Sequence, residues 1–219
     1  MSDDVKTRGY RSATRREQAR ATRRRILQAA AALFAAGGYA DTTVAQIADR
    51  AGVSVDTLYA SVGRKPQMLL AVHDMVLGSA DEPIPARQRD YVAAVRRAEG
   101  ARAKIAVYAE ALRRLLPDAV PLSDALRIAG LTDPECRAVW DALNERRAAN
   151  MLLLTADLRS TGELREDLTD DDVAHLVWSM NAPEYYLLVT SRGRTPAQYA
   201  ALVADVWTRT LLASTEAES

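Results

Sequence analysis

The chain is poor in the residues that most enzymes and metal proteins rely on. It has one cysteine, Cys136, and two histidines, His73 and His175, among 219 residues. One thiol excludes an intramolecular disulfide framework, and so few soft ligands argue against a zinc site of the usual kind. A lone cysteine fits a reducing compartment. Glycine and proline are sparse, and runs of Val, Ile, Thr and Tyr with period-two alternation are hard to find, which argues against strands. No segment reaches the ~18 apolar residues of a membrane span. Arg23-Arg24-Arg25 before Ile26–Ala36 has the outline of a secretion signal. However, Gln28 interrupts the apolar run, 22 residues precede the arginines, and the large apolar residues recur at helical spacing. A cytoplasmic protein without a membrane partner is expected.

Catalytic constellations are missing as well. No Ser/His/Asp, Cys/His or paired-carboxylate motif has a recognised spacing. Asp170-Asp171-Asp172 follows Thr169 and reads as a capped helix start, where acids favour the positive helix end, rather than as a metal site. No enzyme activity, cofactor or metal is expected.

What is present is apolar residue at 48% and charge at 26%, enough for a sizeable core. The net charge of zero hides an asymmetry. Residues 1–66 hold 12 Lys and Arg against 6 Asp and Glu, and residues 67–219 hold 17 against 23. A basic end on an acidic body suggests a polyanionic partner for that end.

The periodicity is helical throughout. Residues 1–19 are polar and Arg-rich without an apolar stripe, and read as a basic, flexible arm. Ile26, Leu27, Ala30, Leu33 and Phe34 form one helix face from Thr22 to Ala36, stopped by Gly37-Gly38. Thr42 or Thr43 caps a short helix, Val44 to Arg50, ended by Gly52; Ser54 or Asp56 opens the next, which carries Leu58 inward and ends near Gly63. Pro66 suits the first turn of a fourth helix. Beyond Pro85, longer helices are expected at 91–97, 101–116, 118–129, 134–159, 173–189 with a kink or restart at Pro183, and 196–212. Pro117 and Pro121 bound the shorter 118–129 helix.

Two short helices meeting across Ala51-Gly52-Val53-Ser54 have the helix-turn-helix shape. The second of them exposes Val55, Asp56, Thr57, Tyr59 and Ala60, a small and polar face that can approach a groove closely.

Residues 22 to about 75 resemble the DNA-binding domain of the tetracycline-repressor (TetR) family of bacterial transcription regulators. The resemblance rests on Ile26-Leu27, Ala30, Leu33-Phe34, Gly38-Tyr39, Thr42-Thr43-Val44, Ile47-Ala48, Ala51-Gly52-Val53-Ser54, Thr57-Leu58-Tyr59 and Lys65, in order and without insertion. It implies an all-α chain: the arm at 1–19, a three-helix helix-turn-helix domain at 20–66, and a larger helical ligand-binding and dimerisation domain at 67–219. It implies that Thr43, Tyr59 and Lys65 meet phosphates, and that Ser54, Val55, Asp56, Thr57 and Ala60 face base edges. Asp56 has helix capping as its other reading. Where many members carry an aromatic-histidine pair, this chain has Ala60-Ser61-Val62, so Ser61 replaces only a hydrogen bond; Gly63-Arg64 adds a positive charge before Pro66.

For the remaining helices the resemblance implies a homodimer on a palindromic operator and a pocket for a small-molecule effector. Tyr199, Val203, Trp207 and Leu211 are the expected interface anchors, with ordinary core as the alternative. Tyr108, Leu112, Trp140, Arg147, Met151, Trp178 and Met180 are the expected pocket residues. Arg147 interrupts an apolar stripe, for which a snorkelling stem or an internal ion pair is the alternative. The reading that follows is a ligand-released repressor. Two others stay open: a helical enzyme or carrier with a structural helix-turn-helix, and a non-specific DNA-coating protein.

Overall fold

The computed structural model describes residues 3–213, with side chains from residue 14. Its helices are α1 (Asp3–Asp41), α2 (Val44–Ala51), α3 (Val55–Val62), α4 (Lys65–Gly78), α5 (Asp90–Arg97), α6 (Ala101–Ala129), α7 (Pro134–Arg159), α8 (Asp170–Met180), α9 (Pro183–Thr190) and α10 (Pro196–Leu211). A 3₁₀ turn, Ala86–Gln88, precedes α5. Among the described residues the one β-type pairing is an isolated bridge between Leu164 and Leu212.

Two helices differ from the expectation. The first begins at Asp3 rather than near Thr22, so the segment expected as a flexible arm is helical over its described part. Residues 10–36 contain no glycine or proline, and their many Ala, Arg, Glu and Gln residues are good helix formers. Residues 14–20 carry no apolar stripe and are exposed; burial begins at Ile26. The backbone breaks at Gly38, whose φ of 76° is the left-handed conformation open to glycine.

The second difference is α6, a single helix through Pro117 and Pro121 where a break was expected. Each proline removes one helical hydrogen bond and costs about 3 kcal/mol. Leu116, Ala119, Val120 and Leu126 are all buried around them. Fully burying a large apolar side chain returns about 1.5–3 kcal/mol, so packing on both sides outweighs the two lost bonds.

The helices enclose two cores. Ile26, Leu27, Phe34, Ile47, Leu58 and Val62 of α1–α3 pack with Met68, Leu69 and Val72 of α4. That core also takes Leu126 from α6 and Cys136, Trp140 and Leu143 from α7. The N-terminal core therefore does not stop at residue 66: α4 and the adjoining ends of α6 and α7 complete it. The second core joins α5 and the remainder of α6 and α7 to α8, α9 and α10.

Tyr199, Val203, Trp207 and Leu211 belong to this second core. None is more than 1% exposed in the single chain, so the anchors expected at a dimer interface are instead interior. The α10 stripe was legible, but which partner it meets was not: it lies against α6 of its own chain, where Tyr108 stacks on Trp207 with ring centroids 5.8 Å apart. Tyr199 donates its hydroxyl to the Met180 carbonyl at 2.7 Å. The large apolar side chains left outward on α9 are Leu187 and Leu188.

Candidate nucleic-acid interface

The corner is built by its caps. Thr43 starts α2 with a capping box: its Oγ1 accepts from the Gln46 N–H at 3.2 Å, and its own N–H donates to Gln46 Oε1 at 2.7 Å. Gly52, at φ 66°, turns the chain and donates its N–H back to the Ala48 and Asp49 carbonyls. Ser54 caps α3, its Oγ accepting from the Thr57 N–H at 3.1 Å. Asp56 is therefore not the cap; it stands in the first turn with its side chain in solvent. Leu58 and Val62 hold α3 to the core.

The outward face of α3 carries Val55, Asp56, Thr57, Tyr59 and Ala60, all exposed. Val55 and Tyr59 are 37% and 45% exposed. The Ser54 and Thr57 hydroxyls lie 2.8 Å apart and share a hydrogen. Each keeps acceptor capacity outward, but neither rotates freely. Thr43 is exposed at the start of α2.

The three other candidates are already engaged. Ser61 is half-buried, and its carbonyl accepts from Arg23 Nη1 at 2.7 Å, which pins the end of α3 to α1. Lys65 donates its ammonium to the Ala40 carbonyl at 3.3 Å and lies 4.1 Å from the centre of the Tyr39 ring, so it braces the α1–α2 turn. Burial pushes its pKa down. Arg64, exposed, pairs with Glu135 of α7 at 3.4 Å. Nearby, Tyr39 and Cys136 meet at 3.3 Å. Burial raises that thiol above its ordinary pKa, so it is not an activated thiolate. Of the arginine triplet before Ile26, Arg24 is tied to Asp81 at 3.2 Å and faces the body of the protein.

The comparisons bear on this corner directly. Residues 26–72 match the family model for bacterial regulatory proteins of the tetR family. The matched span begins at the first buried residue of α1 and ends inside α4, so it covers the reading corner and most of the core beneath it. No curated protein matches the sequence. Solved structures share the whole fold at low identity. A transcriptional regulator from Saccharomonospora viridis, in complex with choline, is 20% identical, with a TM-score of 0.66 over 88% of this chain and 98% of its own. A TetR-family regulator from a Rhodococcus species is 18% identical, with a TM-score of 0.63 over 87% and 98%. FadR from Bacillus subtilis, in complex with stearoyl-CoA, is 16% identical, with a TM-score of 0.57 over 83% and 95%. Among the described residues no helix is long and apolar enough to cross a membrane.

Behind the corner lies a cavity of about 590 Å³ bounded by α4, the 83–89 connection, α5, α6 and α7. The seven expected pocket residues do not form one site. Tyr108 and Met151 line this cavity. Trp140, Arg147 and Trp178 line a separate, shallower cleft with Leu188. Leu112 and Met180 are packed in the second core and line neither. Arg147 closes the end of α8, donating from Nη2 to Asn181 Oδ1 at 2.7 Å and from Nη1 to Asn144 Oδ1 at 3.0 Å. Its partners are neutral acceptors, so neither an ion pair nor a free anion contact describes it.

The charged part of the cavity went unrecognised in the sequence. Asp74 of α4 is held by a fork from Arg146 of α7, Nη1 to Oδ2 at 2.8 Å and Nη2 to Oδ1 at 2.7 Å. Arg89 Nη2 donates to Oδ1 at 3.1 Å and its Nε to the Ile84 carbonyl at 3.2 Å. Burial alone would raise the Asp74 carboxyl, but His73 and the Arg146 fork hold it below the usual carboxylate range. Burial lowers the pKa of His73, whose Nδ1 lies 3.7 Å from Asp74 Oδ1. Asp74 lies off the face of α4 formed by Met68, Leu69, Val72, Met75 and Val76, so no interrupted apolar stripe marks it as one marks Arg147.

Proposed function

We propose that this protein is a sequence-specific DNA-binding regulator of the tetR family, acting as a homodimer on a palindromic operator and released from it by a small molecule. The observation that carries the reading is the outward face of α3: exposed, free of lysine and glutamate, and mounted on a corner fixed by two side-chain caps and Gly52. A helix so presented enters a major groove without long charged side chains holding it away.

In this reading Thr43 and Tyr59 meet phosphates, and Ser54, Val55, Thr57 and Ala60 meet base edges. Val55 and Thr57 offer methyl groups to thymine, and Asp56, freed from capping, accepts from a cytosine amino group. Ser61 and Lys65 act mainly by bracing α3 and the α1–α2 turn, and Arg64 exchanges Glu135 for a phosphate. Two subunits then present their α3 helices about one DNA turn apart, ~34–36 Å. Leu187 and Leu188, with the outward sides of α8 and α10, supply the contact between subunits. The cavity is of the size that small ligands occupy, about 300–1,000 Å³. FadR with stearoyl-CoA and the Saccharomonospora viridis regulator with choline are precedents for effectors in this fold.

The test is selection of bound duplexes from a random pool by the purified protein at two salt concentrations. Enrichment of a palindrome with half-sites one turn apart is expected. Salt-sensitive binding without enrichment would point to a DNA-coating protein, and no binding at either salt to a carrier whose corner is structural.

A further inference from the structure

The cavity is amphipathic. Ile84, Tyr91, Val92, Val95 and Leu154 give it apolar sides. Four arginines, Arg87, Arg89, Arg96 and Arg146, line it with two carboxylates, Asp74 and Asp157, which stand at separate places along the cavity. Asp157 is matched by the buried Lys104 ammonium at 3.1 Å. Asp74 alone faces two guanidinium groups, so the cavity keeps a positive excess there.

The two arginines differ in access. The Arg89 side chain is 6% exposed, whereas that of Arg146 is 42% exposed, so the fork gripping Asp74 is reachable from the cavity. A guanidinium fork that binds one carboxylate edge-on presents the geometry that binds another. Asp74 also occupies a telling place. It sits on α4, whose other residues Met68, Leu69 and Val72 complete the core beneath α1–α3. Its partner Arg146 belongs to α7, and Arg89 to the connection into α5. The three-residue clamp is thus a polar tie between the helix under the DNA-reading corner and the walls of the cavity.

We propose that the cavity takes an apolar molecule ending in a carboxylate, and that this carboxylate replaces Asp74 in the Arg146 fork, releasing α4 from α7. The acid preference stands on the cavity alone. The release of α4 rests on the DNA-binding reading above. A neutral molecule with the same apolar body fills the walls but leaves the fork closed on Asp74. A cationic one meets like charge.

Three probes, each with a straight chain of ten carbons, separate these cases: decanoate, decanol and decyltrimethylammonium, titrated calorimetrically into the full-length protein. Decanoate is expected to bind at least about tenfold more tightly than either of the others, the scale of a charge-assisted hydrogen-bonded pair. Arg146→Gln should lose about tenfold for decanoate while leaving decanol unchanged. Asp74→Asn should bind decanoate about tenfold more tightly, because the competing carboxylate is gone. If Asp74→Asn does not fold, the Arg146→Gln comparison of decanoate with decanol decides the matter alone. Equal affinity for decanoate and decanol, preference for the cation, or an Arg146→Gln protein that binds decanoate normally would each overturn the acid assignment.

The coupling is read on a duplex enriched by the wild-type protein. Decanoate should weaken wild-type binding to it and leave the affinity of Asp74→Asn unchanged. An Asp74→Asn protein as sensitive as wild type would refute the exchange. If the wild-type protein enriches no duplex, the regulator reading fails, while the acid preference is still decided by calorimetry.

Discussion

Substituting Val203 by alanine separates an interior α10 from one that forms a subunit interface. Val203 is 0% exposed in the single chain and lies in the same core as Tyr199, Trp207 and Leu211. The change removes two buried methyl groups, worth about 0.8 kcal/mol each in transfer, and leaves a small cavity whose walls lose contacts. Together these give a loss of about 2–3 kcal/mol in unfolding free energy. For a chain of this size that lowers the melting temperature by about 4–10 °C. Urea titration measures the first quantity, and sedimentation equilibrium measures self-association of the same protein. The expected result is a lower unfolding midpoint with an unchanged subunit dissociation constant. Leu188→Arg, at a position 66% exposed, should do the reverse: stability within about 0.5 kcal/mol of wild type and weakened self-association. A Val203→Ala protein of undiminished stability that no longer self-associates would refute the placement of the Val203 face of α10 in the interior.

Thr43→Ala removes the capping box of α2 and should cost about 1 kcal/mol of stability, visible in urea titration, together with weaker DNA binding by anisotropy. Gly52→Ala meets no neighbouring atom but must adopt φ 66°, so a loss of about 1 kcal/mol without a change in packing is expected by the same titration. Asp74 has a folded pKa below its unfolded value, so its contribution is present above about pH 4 and is lost as the pH falls through the folded pKa. The stability gap between wild type and Asp74→Asn should therefore be widest near neutrality and narrow below about pH 4, measured by urea midpoints across that range.

The parts of the fold legible in the sequence are those fixed by local chemistry. Gly38, Gly52 and Gly63 all take positive φ, Thr169 caps the helix that follows it, and Thr43 and Ser54, each one of two candidates, do the same. These features depend on a few adjacent residues and read directly. The α6 helix did not, because a proline signals a local cost, whereas the burial of Leu116, Val120 and Leu126 that offsets it is tertiary. The α10 stripe was read correctly as apolar, yet periodicity names a buried face and not what buries it. Pocket residues suffered in the same way. Trp140 and Met151 share the α7 stripe but are eleven residues apart on a helix running through two cores, and they face different cavities. The Asp74 clamp joins residues 74, 89 and 146, a separation that no local pattern spans.

The account turns on whether the α3 face reads bases rather than merely resting on the backbone. Selection from the random duplex pool should be repeated with Val55→Ala and Thr57→Ala beside the wild type at one salt concentration. Both substitutions leave Leu58, Val62 and the core untouched, because positions 55 and 57 are exposed. The predicted result is an enriched palindrome for each variant with relaxed preference at one or two symmetric base pairs, and unaltered preference elsewhere. An identical preference in all three proteins would contradict readout by α3.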